Sequence, residues 1–341
     1  MRVVVTGAGG FIGREIVQEL DKNNFTIFQV GRTEPARQAD FENKNSQNNF
    51  FAADIINNKN FADLEELKNI DAVVHSAGLA HQFGNTGKEE FDSVNVLGTK
   101  NIVELAVKLQ AKQFILISST AIYGIKKSDK NQNIQVDGLI IDENTVCQPE
   151  TLYAESKLAA ENVCIKICKQ NSLPLTILRL APVIGEGNVG NTARLVSAID
   201  KGRFIWIGKG KNLKTLIYKK DVARAVVEVL LNKRNETEIF NVAAKPITMK
   251  EFVGEIEKQL NKSVPKFHIP FGILQKIFLI NAKVLGIKKI KKISDTIEKW
   301  LSDDIYAARK IKQNYNFEPH TSIAEAIEKQ VKWYLGKKNK N

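Results

Sequence analysis

Three cysteines in 341 residues are too few for a disulfide scaffold. Two of them, Cys164 and Cys168, stand one helical turn apart on an apolar face and read as reduced core thiols of a cytoplasmic protein. Histidine, cysteine and carboxylates nowhere gather at metal-ligand spacing, so no metal is expected, and no Ser-His-Asp pattern emerges. No apolar run reaches bilayer length, and the chain starts inside its first strand with no leader expected. The net charge of +12 comes from lysines spread along the chain, denser at 283–292 and 337–340. No aromatics interleave with them, so they read as a solvated surface and nucleic acid is not an expected partner. One stretch, Ile269-Pro270-Phe271-Gly272-Ile273-Leu274 through Leu285-Gly286-Ile287 and on to Lys288, Lys289, Lys291 and Lys292, is apolar and then basic. It reads as a helix packing on a neighbouring lobe, with peripheral membrane contact as the alternative. No internal repeat is visible.

What is present begins at once. Val3-Val4-Val5-Thr6 is a short β-branched strand that stops at a glycine cluster, with Gly7, Gly10 and Gly13 at GxxGxxG spacing. Phe11, Ile12, Ile16, Val17 and Leu20 then trace an amphipathic helix. Such a strand–turn–helix places free N–H groups and a positive dipole end where a pyrophosphate can sit, which points to a dinucleotide. Gly7 allows the tight turn, Gly10 a close backbone approach to the ligand, and Gly13 the packing of helix on strand.

Strands expected at 3–6, 26–30, 50–52, 72–75, 114–118 and 176–180 alternate with helices starting near Phe11, Phe61, Asp92 and Leu152. That alternation predicts an α/β fold, a Rossmann doubly wound parallel sheet. The polar stretch 124–149 reads as a loop. After Gly185 the alternation fades, returns for a helix at 222–231 and a strand at 239–242, and gives way to mainly helical sequence. The expected division is a dinucleotide-binding domain of residues 1–180 plus 216–243 and a smaller, mainly helical C-terminal substrate-binding lobe of 185–215 plus 245–341.

The second strand ends Gln29-Val30-Gly31-Arg32-Thr33, roughly twenty residues past the glycine turn, where a dinucleotide's ribose is read. An acidic residue there would favour NAD; the cationic fork of Arg32 favours NADP, with NAD the alternative. Asp54, after the third strand, suits the adenine amino group. Phe114-Ile115-Leu116-Ile117-Ser118-Ser119-Thr120 is an apolar strand ending in three hydroxyls. In Tyr153-Ala154-Glu155-Ser156-Lys157, helical spacing puts phenol and ammonium on one face. A tyrosine, with a pKa of about 10, becomes a usable acid–base near neutrality when a cation favours its phenolate.

With these segments the chain resembles the extended short-chain dehydrogenase/reductase superfamily, in its nucleotide-sugar epimerase/dehydratase/reductase group. The resemblance runs through 6–13, His75-Ser76-Ala77-Gly78, Val94-Asn95-Val96-Leu97-Gly98-Thr99, 118–124, 153–157, 179–185, 214–221, Phe240-Asn241-Val242 and a tail from Trp300 to Trp333-Tyr334. It implies Tyr153 as proton donor or acceptor, Lys157 on the nicotinamide ribose and Ser119 on the reacting oxygen. The cofactor set it supports is Gly7, Gly10, Phe11, Ile12, Gly13, Arg32, Asp54, Ile55, Ser76, Ala77, Gly78, Tyr153, Lys157, Ala181 and Val183. On the substrate side it implies Lys214 on a sugar nucleotide's diphosphate, in the flexible basic turn Gly208-Lys209-Gly210-Lys211-Asn212-Leu213-Lys214. Asn191, His81, Asn95 and Thr120 join it there. A homodimer through helices near 92–109 and 152–170 is likewise implied by the resemblance.

Two departures from the family pattern narrow the chemistry. Sugar 4,6-dehydratases carry an acidic residue directly after the catalytic hydroxyl, whereas this chain has Thr120 and Ala121, which disfavours dehydration. Leu180-Ala181-Pro182 replaces the Pro-Pro of many relatives without removing a reactive group. The expected activity is therefore hydride transfer at C4 of a nucleotide-linked sugar. A 4-keto-6-deoxy-sugar nucleotide reductase of surface polysaccharide biosynthesis, using NADPH, comes first, and a UDP-sugar 4-epimerase with bound NAD second. A dinucleotide-sensing regulator is a non-catalytic alternative, against which the complete Ser119, Tyr153 and Lys157 set counts. A steroid-type dehydrogenase is disfavoured by the basic turn.

Overall fold

The computed structural model describes residues 1–33, 49–57, 61–80, 86–124, 140–270, 272, 297 and 299–339. Seven parallel strands form its centre: β1 (Arg2–Thr6), β2 (Thr26–Gly31), β3 (Asn49–Ala52), β4 (Ala72–His75), β5 (Phe114–Ser119), β6 (Leu175–Leu180) and β7 (Thr237–Val242). Their order across the sheet is β7-β6-β5-β4-β1-β2-β3. The chain reverses direction across the sheet between β1 and β4, and a crevice opens there beyond the carboxyl ends of the strands. The central strands are apolar without alternation because both faces are covered; Val3, Val4, Val5, Ala72, Val73 and Val74 are fully buried.

On one face lie α1 (Gly13–Lys22) and a helix that follows the lobe's first passage. On the other lie α2 (Gly98–Lys108) and the long α3 (Leu152–Gln170), with Cys164 and Cys168 buried in that layer. The lobe holds α4 (Asn191–Asp200), and α5 (Lys219–Leu231) is the helix that returns to the first face. Next come α6 (Met249–Leu260), α7 (Arg309–Tyr315) and α8 (Ile323–Lys338). A third core joins Leu195, Val196, Phe252, Ile256, Ala326 and Ile327 of α4, α6 and α8. Helix α6 starts on a reciprocal cap in which Thr248 and Glu251 satisfy each other's backbone N–H.

The expected six strands all form, within one residue of the ends read from the pattern. Three readings change. The helix expected near Phe61 is a single turn, Ala62–Glu65. The helix expected near Asp92 begins at Lys88 and passes through a π-turn, Asp92–Leu97, before α2. The 124–149 loop carries a short strand, Ile140–Ile141, that pairs in parallel with Ile305–Tyr306; residues 125–139 lie outside the described residues.

The expected lobe boundary also needs an exception. Ile311, Tyr315 and Phe317 are buried in the core of the sheet's first face, so α7 belongs with the sheet although it falls inside 245–341. Its Lys310, Asn314 and Tyr315 side chains reach Ile239 and Glu238 on β7, because an edge strand needs cover on its outer side. Most of the apolar-then-basic stretch beginning at Ile269 lies outside the described residues. Among those described, no helix is long and apolar enough to cross a membrane and no group of ligating side chains could hold a metal.

Candidate active site

The glycine turn owes its shape to backbone contact. Gly7 has φ +68°, and a Cβ there would lie 2.7 Å from the backbone of Ala77. A Cβ on Gly13 would lie 2.0 Å from the Gly7 carbonyl oxygen, so no side chain fits at either position. Gly10 donates its N–H to the Gly7 carbonyl at 2.8 Å, and its own Cβ position is the least crowded of the three. Phe11 and Ile12 are half-buried, and their N–H groups have no acceptor among the described residues. Helix α1 has no side-chain cap, which leaves its first amides to a ligand. A bare turn of this kind fits a pyrophosphate.

Around it stand the other expected cofactor contacts. Arg32 is exposed at the end of β2. Asp54 is half-buried and accepts the Ile56 N–H at 3.1 Å, while Ile55 is buried against α2, within 2.6 Å of where a Cβ on Gly98 would sit. Ser76-Ala77-Gly78 runs between the glycine turn and Lys157: the Gly78 Cβ position is 3.8 Å from Lys157 Nζ. Ala181 is buried and tied by its N–H to Val242, so it offers backbone only; Val183 is half-buried with its carbonyl held by Asn188. Asn101 was not foreseen. Its amide donates to the carbonyls of Ile55 and Ile56 at 2.9 and 3.1 Å and so fixes the loop that follows β3. No local pattern marks an asparagine on an otherwise apolar helix face as holding a loop 46 residues away.

Ser119 ends β5 and Tyr153 opens α3, whose N-cap Thr151 accepts the Ala154 N–H at 3.2 Å. The two side chains are hydrogen-bonded to each other. Burial holds the Tyr153 phenol above its usual pKa, and the Ser119 bond opposes that. Phe91 packs edge-on against the Tyr153 ring at 6.2 Å. Lys157 is buried and donates to the Ile117 carbonyl at 2.6 Å. Burial lowers its pKa to about 8, against the pull of Glu161. His75, on β4, is fully buried between the hydroxyls of Thr6 (2.7 Å) and Thr99 (3.0 Å), and burial drops its pKa to about 3, so it stays neutral.

The expected substrate contacts fare differently. Asn95, on the π-turn, is 2% exposed. It bonds both backbone groups of Leu79 (2.7 and 3.0 Å) and the Ser156 hydroxyl (2.9 Å), so it shapes the strand-end loop and presents nothing to the crevice. Thr120 is equally buried: its hydroxyl bonds the Leu180 carbonyl at 3.2 Å and Tyr306, behind Ser119. Lys214 already has anionic company, 2.7 Å from Asp304 and 2.8 Å from the Lys299 carbonyl. Asn191 is exposed at the start of α4. His81 lies outside the described residues. Tyr306, unmarked by any motif, stacks on Tyr123 at 6.2 Å and reaches Thr120 from the far end of the chain.

Residues 3–243 match the NAD dependent epimerase/dehydratase family. The chain belongs to that family. It is therefore an enzyme of the NAD-dependent epimerase/dehydratase type. The chain is 28% identical to the N-acetyl-alpha-D-glucosaminyl-diphospho-ditrans,octacis-undecaprenol 4-epimerase of Escherichia coli O157:H7, over 97% of this chain and 94% of that one. It is 30% identical to human dTDP-D-glucose 4,6-dehydratase over 71% of this chain and 68% of that one. Among solved structures, UDP-glucuronic acid 4-epimerase of Bacillus cereus in complex with NAD superposes with a TM-score of 0.74. It is 20% identical and covers 98% of this chain and 99% of that one, a likeness of fold.

Proposed function

We propose that this member of the family transfers a hydride at C4 of a sugar carried on a diphosphate, and that it works as a reductase of a 4-keto sugar nucleotide using NADPH. The hydrogen-bonded Ser119–Tyr153 pair, with Lys157 one helical turn along α3 and bonded to the Ile117 carbonyl, supports the first part of that reading. Exposed Arg32, where an acidic residue would mark NAD, carries the second. A bound nicotinamide supplies the hydride. Tyr153 then hands its proton to the C4 oxygen, which Ser119 holds by a hydrogen bond. The Lys157 ammonium stabilises the phenolate left behind. Dehydration is disfavoured because Thr120 is turned away behind Ser119 and Ala121 carries no acid or base.

A second reading has its own support. One relative matched along nearly its whole length is a 4-epimerase of a lipid-linked sugar diphosphate. The same residues would perform epimerisation if a tightly held NAD took the hydride from C4 and returned it to the other face. A pyridine-nucleotide assay of the protein as purified separates the two. NADPH consumed only with a 4-keto sugar nucleotide supports the reductase. Stoichiometric NAD carried through purification, with C4 inversion of a UDP- or undecaprenyl-diphosphate sugar and no net cofactor consumption, replaces it with the epimerase.

A further inference from the structure

Helical spacing puts Tyr153, Lys157 and Glu161 of α3 on one face. Glu161 is 1% exposed at its side chain, and its carboxylate accepts the Ser118 hydroxyl at 2.5 Å. The Arg179 fork meets both its oxygens, Oε2 at 2.7 Å and Oε1 at 3.2 Å. Ser118 and Arg179 are direct partners in the register of β5 and β6, and Arg179 and Asn241 in that of β6 and β7. The three therefore stand in one row across neighbouring strands. Arg179 also donates to the Tyr123 hydroxyl at 2.9 Å, and that hydroxyl donates to Asn241 at 2.8 Å. Ser118 and Tyr123 flank Ser119 in the chain, and Lys157 holds the carbonyl of Ile117, the residue before Ser118. The Glu161–Ser118 and Lys157–Ile117 bonds thus fasten the strand that carries Ser119 to the helix that carries the phenol and the ammonium, and Arg179 ties the same carboxylate to the next strand and to Tyr123.

A buried ion pair is poor evidence for stability, since removing two charges from water costs about as much as their attraction returns and apolar pairs often replace them without loss. What such a pair does provide is a single geometry, because the planar fork matches a carboxylate in one orientation only. We propose that the Glu161–Arg179 pair, bridged through Ser118, Tyr123 and Asn241, is a positioning device that sets Ser119 against Tyr153 and supplies the balanced local charge under Lys157. This rests on the assignment of Ser119, Tyr153 and Lys157 as the reacting groups. The device has an electrostatic signature. Glu161 alone would favour the Lys157 ammonium and Arg179 alone would disfavour it.

The test follows Lys157 directly, by its acetylation with acetic anhydride against pH, read by mass spectrometry on the folded, substrate-free protein. Glu161→Gln is expected to move the Lys157 titration midpoint down by about one pH unit, and Arg179→Met to move it up by about as much. The double variant should return it close to the wild-type value. In turnover of the sugar substrate, each single variant should lower kcat by roughly 10- to 100-fold with little change in KM. Shifts in the same direction for both single variants, or none in either, overturn the proposal, since that is what loosened packing alone would produce. Should the single variants fail to fold, Tyr123→Phe keeps the ion pair and removes only its bridge to Asn241. It is expected to lower kcat about fivefold without moving the Lys157 midpoint, by misplacing Ser119; an unchanged kcat overturns the proposal. The acetylation arm needs no substrate, so a wrong sugar assignment leaves it readable.

Discussion

The sheet half and the lobe of this enzyme use their residues in opposite ways. In the sheet half the glycine turn offers bare amides and Arg32 stands exposed at the end of β2. In the lobe the charged groups are closed on one another. Lys214 sits on Asp304. Asp200 holds Lys262, Lys338 and Tyr334, fastening α4 to the end of α6 and to α8. The lobe is built first to hold itself together, because its core is smaller and its helices come from distant parts of the chain.

The largest test of that contrast is Tyr153→Phe. Loss of the proton donor is expected to lower kcat by about 10²–10⁴-fold while leaving the melting temperature near wild type; steady-state turnover and a thermal melt read both. Turnover within a few-fold of wild type would remove the sheet half's claim to the chemistry.

A pair of glycine substitutions sharpens the contrast next. Gly13→Ala forces a Cβ against the Gly7 carbonyl and is expected to cost about 1–3 kcal/mol of stability along with dinucleotide binding. Gly254→Ala, on α6 where a Cβ meets nothing within 4 Å, is expected to raise stability by about 0.4–1 kcal/mol. Chemical denaturation of the two variants beside wild type measures both signs.

Arg32→Asp is expected to lower the NADP-to-NAD preference by roughly 10- to 100-fold, the worth of a hydrogen bond to a charged phosphate. Titration of both reduced cofactors by fluorescence checks it, and an unchanged ratio means that Arg32 does not read the ribose.

Asp304→Asn asks whether the lobe's closed pairs hide a ligand group. If Lys214 serves the diphosphate, freeing it should lower the KM of the sugar substrate about two- to fivefold, a change of about 1 kcal/mol or less. Lys214→Met should raise the KM. Equal KM values in both variants would leave Lys214 a lobe fastener only.

The smallest effect concerns pH. Hydrogen bonds from Lys262 and Lys338 hold the Asp200 carboxyl below its ordinary 3.8. Its contribution to folding is therefore complete above that value and lost as pH falls through the lowered one. The difference in melting temperature between wild type and Asp200→Asn should be constant from pH 5 to 7 and shrink below pH 4.

The contrast also explains what could be read in advance. Gly7 and Gly13, the six strands, and Tyr153 with Lys157 are local: each depends on spacing within a turn, a strand or two turns of helix. The substrate-side residues were matched to positions in a resemblance, and there the surroundings decide what each side chain meets. Asn95 and Thr120 carry the expected side chains but turn them inward, onto Leu79, Ser156, Leu180 and Tyr306. Asn101 and Tyr306 reach the site from positions that no periodicity distinguishes from core.

By itself, then, the order of amino acids determined a dinucleotide turn, a parallel sheet, and a phenol and ammonium on one helix face, because short-range sterics and hydrophobic period suffice for each. Only the tertiary structure decided that Ser118, Arg179 and Asn241 share a row under Glu161, or that Lys214 meets Asp304, 90 residues away. Those pairings depend on strand order and on the way back from the lobe, and a local sequence pattern carries information about neither.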